Sequence, residues 1–250
     1  MLLIVNADDL GTNEVINDKI FSLIKAGRVT SASLIANAPA FQHAVARASE
    51  FPGCSLGVHL NLTVFRPLSS TGGLEPILQN GELSQKLFST TVTMRLRKAC
   101  LVELTAQVQR VLDAGVQVSH FDSHQHIHTI PRLFPVIKKL QRKFGIRKVR
   151  STINLLPAGK QMDPVRFLKK GLFNFALRHV YSTSCPQGLG DFRDFYHALG
   201  SGDFPRFNTL ELMVHPGTTN SNYNEEVDLL ESDWPKSLPP HSRLVSYHHV

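Results

Sequence analysis

The chain has 250 residues, of which 42% are hydrophobic and 19% charged, with 16 Gly and 14 Pro. That is too apolar and too weakly charged for a disordered chain. It has no collagen period and no sustained heptad, and it is as long as one α/β barrel or two small domains. The 27 Lys+Arg against 20 Asp+Glu give a net charge of +7, but the basic residues are scattered. Their densest stretches (Arg95, Arg97 and Lys98; Lys138 to Arg150; Lys160 to Lys170) read as solvated helix faces rather than as a nucleic-acid footprint.

Leu2 to Val5 reads as a short buried strand and Asn6 to Gly11 as a polar turn at its C-terminal end. Val15, Ile16, Ile20, Leu23 and Ile24 then recur at helical spacing, with Gly27 as the stop. Val29 to Ala36 reads as a second strand and Pro39 to Ser49 as a short helix ended by Phe51-Pro52-Gly53. Leu56 to Leu62 is a third strand, with Leu56, Val58, Leu60 and Leu62 on one face and Gly57, His59 and Asn61 on the other. Residues 63–82 form a long loop. Met94 to Ala114 is the longest helical pattern and stops at Gly115. Val116 to Ser123 is a fourth strand, Pro131 to Phe144 a helix closed by Gly145, and Lys148 to Asn154 a fifth strand. A helix around Val165–Tyr181, a Pro/Gly-rich connection at 184–190, a strand at Thr209–Val214 and a last strand at Arg243–Tyr247 complete the chain.

Strands alternating with helices imply parallel βαβ units. About seven strands in one domain over residues 1–250 favour a distorted or incomplete (β/α) barrel, with an open doubly wound sheet as the alternative. In both, chemistry gathers at the C-terminal ends of the strands. The three cysteines, Cys54, Cys100 and Cys185, are far apart and odd in number, which fits a reducing compartment better than a disulfide framework. The five apolar residues at the start are too few for a secretory segment. No stretch approaches the ~20 apolar residues of a membrane span, so a cytoplasmic protein is expected.

Four polar groups follow expected strands. Asp8 and Asp9 are adjacent carboxylates that need a cation or a proton to coexist, although Asp at such a place is also a common helix cap. His59 stands opposite an apolar face and could be a satisfied core residue. His120-Phe121-Asp122-Ser123-His124-Gln125-His126-Ile127-His128 places four of the twelve histidines within nine residues. In an extended backbone Asp122, His124 and His126 would face one side. Core packing explains so dense a cluster poorly, because each buried imidazole needs partners for both nitrogens. Glu211, Met213 and His215 share the face of a later strand, with His215 at its end. Two histidines and one carboxylate make a facial metal triad with open positions. A neighbouring carboxylate can then take a proton from water and a further histidine can protonate a leaving group, which is the equipment of metal-assisted hydrolysis.

These motifs resemble the YdjC-like carbohydrate deacetylases: Asn6-Ala7-Asp8-Asp9-x-Gly11, Gly57-x-His59-x-x-Leu62, His120-x-Asp122-x-His124-x-His126-x-His128 and Glu211-Leu212-Met213-x-His215-Pro216-Gly217. Val29-Thr30-Ser31-Ala32-Ser33 and the closing Ser246-Tyr247 are similar to the family's pattern as well. The resemblance implies a distorted barrel, one divalent ion (Mg2+ or Zn2+) and removal of acetyl groups from N-acetylated amino sugars or oligosaccharides. It implies Asp9, His59 and His124 as metal ligands, Asp8 as general base, His215 as general acid and Asp122 as the residue orienting a histidine. Arg150 is placed to hold Asp8 or to contact substrate, and His126 and His128 compete with His124 as ligands. A homodimer is allowed. The loop at 63–82 and residues 218–242, without a clear helix, depart from the family pattern and bear on substrate identity. Another enzyme using the same triad, such as a non-haem iron oxygenase, is the alternative, and a basic nucleic-acid binder ranks last.

Overall fold

The computed structural model describes residues 1–70, 72–152, 155, 163–201, 207–217 and 225–250. β1 (Leu2–Leu10) leads into α1 (Glu14–Lys25), β2 (Ser31–Leu34), α2 (Phe41–Ala48) and β3 (Ser55–Leu60). The expected loop after β3 carries a small antiparallel hairpin, β4 (Leu78–Gln79) and β5 (Glu82–Leu83), and the single turn α3 (Lys86–Ser89). Then come α4 (Met94–Asp113), β6 (Val118–Ser123), α5 (Phe134–Phe144), α6 (Pro164–His179), β7 (Gly188–Asp191), α7 (Phe192–Ser201), β8 (Thr209–Val214), α8 (Glu226–Glu231) and β9 (Arg243–Leu244). The helix starts are chemically marked. Asn13 caps α1 by accepting from Ile16 N–H at 2.8 Å, and Thr93 caps α4 by accepting from Leu96 N–H at 3.2 Å.

Seven strands form one sheet in the order β6-β3-β2-β1-β8-β7, with β9 beside the first residues of β1. Every pair within it is parallel. Helices cover the outer face, where Val5, Ala7, Leu34, Leu60, Phe121 and Leu212 enter the main hydrophobic cluster. The opposite face is buried but polar. Asn6, Ser31, Ser33, Ser55, Asp122 and Glu211 are all essentially inaccessible, where parallel barrels usually stack branched aliphatics. Among the described helices none is long and apolar enough to cross a membrane.

The seven strands are not the seven expected. Residues 148–149 make only isolated parallel bridges, Phe121 to Val149 and Lys148 to Ser184, and 153–154 lie outside the described residues. The strand taking that place is β7, inside the stretch expected as a connection. A Cβ on Gly188 would meet Phe207 at 2.6 Å, and one on Gly190 would meet Leu155 at 2.6 Å. Close packing demands glycine at both positions, and glycine erases the strand signature. β1 also runs on through Leu10 instead of ending at Val5.

Gly57 has a similar cause. A Cβ there would lie 2.4 Å from the His120 ring, which stacks on Tyr247 with centroids 3.7 Å apart. Gly57→Ala is therefore expected to cost about 1–3 kcal/mol by overpacking and to lower the melting temperature by several degrees. An unchanged thermal unfolding curve would show that this stack has slack.

Candidate metal centre

The two aspartates at the end of β1 reach one pocket because β1 bulges. Ala7 pairs with Ala32 and Leu10 with Leu34, so three steps along β1 match two along β2. Asp9 sits at φ +65°, in the left-handed region that aspartate tolerates better than most residues. Without that extra residue, consecutive side chains would point to opposite faces. The cap of α1 is Asn13, so neither aspartate is used there.

The histidine-rich segment after β6 does not stay extended. Residues His124–Thr129 curl into a 3₁₀ turn, with Gln125 at φ 51° and His126 at φ 55°. The expected common face of Asp122, His124 and His126 is therefore lost. His124 remains at the mouth, with Nδ1 2.9 Å from Asp9 Oδ1. His128 folds under, its backbone N–H donating to Ser123 Oγ at 3.0 Å, and burial pushes its imidazole down to about 3. His126 lines a neighbouring cavity with Thr152, Arg166, Lys169 and Phe173.

His59 projects from β3 between two carboxylates. Its Nδ1 donates to Asp122 Oδ1 at 2.9 Å and also lies 3.0 Å from Ser33 Oγ, which leaves Nε2 facing Asp9 Oδ1 at 3.4 Å. Ligand atoms of Asp9, His59 and His124 all lie within 4.8 Å of one another, as do those of Asp8, His59 and Asp122. The second group already holds a cation. Arg150, fully buried, donates to Asp8 Oδ2 at 2.7 Å and Oδ1 at 2.6 Å, and it reaches Asp122 Oδ2 at 2.9 Å and Glu211 Oε1 at 2.8 Å. Arg150 thus holds Asp8 and is too enclosed to meet a substrate.

Charge describes the same pocket. Burial pushes the Asp8 and Asp122 carboxyls up, but Arg150 and His59 outweigh it and hold both below the ordinary carboxylate range. For Asp9, hydrogen bonds from His124 and His59 outweigh burial in the same way. Burial raises Glu211 to about 7 against the pull of Arg150, and the Tyr247 hydroxyl donates to its other oxygen. Asp8, Asp9 and Asp122 are all held ionised, and Arg150 bonds only the first and last of them, so the Asp9 corner of the pocket keeps negative charge suited to a cation. Burial disfavours charge on His59, yet Asp122 and Asp8 overcome it and push the imidazole up to about 10. A proton there partly fills the cationic deficit that a metal would fill. The separations of 2.9 and 3.4 Å also match neighbouring ligands of an ion bound at about 2.0–2.2 Å. The residues present fit a divalent metal.

His215 follows β8, with Nε2 3.7 Å from Asp8 Oδ2. Its backbone N–H donates to Glu226 on α8, an element that sequence periodicity did not mark. Burial is the largest influence on Glu226 and raises it to about 8, opposed by that hydrogen bond. The folded value lies above the ordinary 4.5, so the folded state binds the extra proton between pH 4.5 and 8. The contribution of Glu226 to stability is therefore fullest below pH 4.5 and is lost as pH rises through 8. In metal-free protein, Glu226→Gln is expected to make the decline in melting temperature from pH 5 to pH 9 shallower, with the Glu211 and His59 shares remaining. An identical decline in both proteins would contradict this.

Other partners had no signature in the sequence. Asn6 Nδ2 donates to Asp8 Oδ1 at 2.9 Å and to Ser33 Oγ at 3.2 Å, tying β1 to β2 beneath the site. Asn61, which shares the His59 face in the sequence pattern, instead holds the following loop through Asn37 at 2.9 Å and the Val64 carbonyl at 2.8 Å.

A family model described as YdjC-like protein matches residues 2–238. The carbohydrate deacetylase of Geobacillus stearothermophilus is 37% identical over 150 residues, 59% of this chain and 60% of its own length. That match spans less than two thirds of the relative. The carbohydrate deacetylase of Halalkalibacterium halodurans is 30% identical over 220 residues, 86% of this chain and 85% of its own length. A crystal structure from Enterococcus faecalis V583 superposes with a TM-score of 0.79 over 99% of this chain and 98% of that one, at 22% identity, and shares the fold.

Proposed function

The chain belongs to the YdjC-like protein family, and on that premise we propose that it is a metal-dependent deacetylase of N-acetylated amino sugars or oligosaccharides. The observation that carries the reading is the convergence of Asp9, His59 and His124 within 4.8 Å, beside an arginine-clamped Asp8 and His215. Asp9, His59 through Nε2 and His124 would hold one divalent ion. When bound, such an ion lowers the pKa of a water and polarises a carbonyl oxygen.

The protein's own groups do the rest. Asp122 accepts from His59 Nδ1 and so presents Nε2 as the ligand atom. Asp8 takes the proton of the water that attacks the amide carbonyl carbon. Arg150 makes Asp8 a weaker base than a free carboxylate, but it keeps Asp8 ionised near neutral pH and fixes its direction. His215 delivers a proton to the departing nitrogen; the carbon–nitrogen bond breaks, and acetate and a free amine leave. The parallel bridges at Val149 and Ser184 support reading the sheet as a distorted barrel with a thin side.

The test is acetate release from a panel of N-acetylated glycans. Release is expected with Mg2+ or Zn2+ present, to stop with chelator and to proceed without oxygen consumption. Acetate release that persists undiminished in chelator would refute metal dependence. Oxygen uptake with no acetate would favour an oxygenase on the same triad.

A further inference from the structure

The outward side of α6 is apolar. Val165, Leu168, Leu172 and Phe175 recur at spacings of three, four and three, the stripe a helix ordinarily turns toward its core. Here those four and Phe167 are 58–67% exposed. The inner side is occupied by other residues. Leu177 is buried, Phe173 meets the Phe134 ring edge-on with centroids 5.7 Å apart, and Asn174 Oδ1 accepts from the Thr152 backbone N–H at 3.0 Å.

The charge on α6 is of one sign. Its sequence holds Arg166, Lys169, Lys170 and Arg178 and no acid, and Asp163, just before it, is used as the N-cap through Arg166 N–H at 2.9 Å. At 100° per residue Lys169 borders the stripe next to Val165, while Arg166 lies further round toward the inner side, at the angle of Phe173 and Leu177. Both also line the cavity of about 280 Å³ that holds His126 and Thr152. In a two-fold dimer through this stripe the same patch would face itself and oppose its own cations. An anionic bilayer has the complementary charge, and long basic side chains can reach its phosphates while the apolar stripe sinks among the acyl chains.

We infer that α6 is an interfacial docking helix for an anionic membrane surface. Val165, Leu168, Leu172 and Phe175 enter the headgroup boundary, Lys169 at its edge pairs with lipid phosphate, and Arg166 behind it adds to the attraction. Because the cationic edge of α6 also walls the cavity beside His126, docking brings that mouth to the membrane.

The test is co-sedimentation of the full chain with vesicles of phosphatidylcholine alone or mixed with phosphatidylglycerol. Binding is expected to the mixed vesicles, weakly to the neutral ones, and to fall with salt. The exposed double variant Leu168→Glu/Leu172→Glu should lose it. Arg166→Ala with Lys169→Ala should weaken it about thirtyfold, at about 1 kcal/mol per cation. Acetate release from a soluble glycan should be unchanged in the Leu168→Glu/Leu172→Glu protein, showing that it is folded. The inference is overturned if the chain ignores both vesicles, if the double variant still binds, or if that variant splits a solution dimer. Vesicle binding with no acetate from any glycan would uphold the docking helix and sink the deacetylase reading instead.

Discussion

Asp9→Asn is expected to abolish tight divalent-metal binding and to lower acetate release at least about a thousandfold, in a protein that still folds. The substitution is clean because asparagine, like aspartate, accepts the left-handed backbone that Asp9 adopts at φ +65°. The β1 bulge is therefore kept, and only the ligand charge is removed. Asp9 Oδ1 is the atom shared by His124 at 2.9 Å and His59 at 3.4 Å, so its loss takes away the anionic corner of the triad. A bound ion contributes several kcal/mol of transition-state stabilisation. At about 1.36 kcal/mol per factor of ten, a loss of ~4 kcal/mol corresponds to the predicted thousandfold. The checks are metal titration by calorimetry and acetate release on the same preparation. Native-like release from Asp9→Asn protein would remove Asp9 from the site.

Arg150→Met is expected to be the most damaging single change to the fold. Arg150 is fully buried and bonds three carboxylates, on Asp8, Asp122 and Glu211. Removing one partner of a buried ion pair costs about 3–5 kcal/mol, because the remaining charge has no water to turn to. A domain's whole stability is about 5–15 kcal/mol, so urea unfolding should shift to far lower concentration or the protein should fail to accumulate. Arg150→Lys should recover part of the stability but little activity. One ammonium cannot bond both Asp8 oxygens at 2.6 and 2.7 Å, and Asp8 then loses its direction. A loss below about 1 kcal/mol in the methionine protein would mean that the carboxylates find other partners.

Strand–helix alternation and the polar groups at strand ends were legible in the sequence because both follow from side-chain type and spacing. Asp8, Asp9, His59, His124 and His215 do meet in one pocket. What was not legible depends on backbone geometry or on distant partners. Nothing in Asn6-Ala7-Asp8-Asp9 announces that β1 continues to Leu10 with an extra residue. The alternation of Asp122, His124 and His126 suggested a shared face, but the turn at Gln125 and His126 separates them. β7 was hidden by the glycines its neighbours require. The link from Arg150 through Glu211 to Tyr247 joins three segments nearly 100 residues apart end to end, a contact no local pattern encodes. α6 is the converse case: a helix around Val165–Tyr181 is expected from the sequence, but that its apolar side faces outward is not.

On the reading proposed above, three side chains from β1, β3 and the turn after β6 share one divalent ion. Anomalous diffraction from crystals loaded with Zn2+ or Co2+ tests it most directly. A single strong peak is expected about 2.0–2.2 Å from an Asp9 carboxylate oxygen, His59 Nε2 and a His124 ring nitrogen, with Asp8 adjacent but still held by Arg150. A peak elsewhere, or none at this pocket in protein that releases acetate, would contradict it.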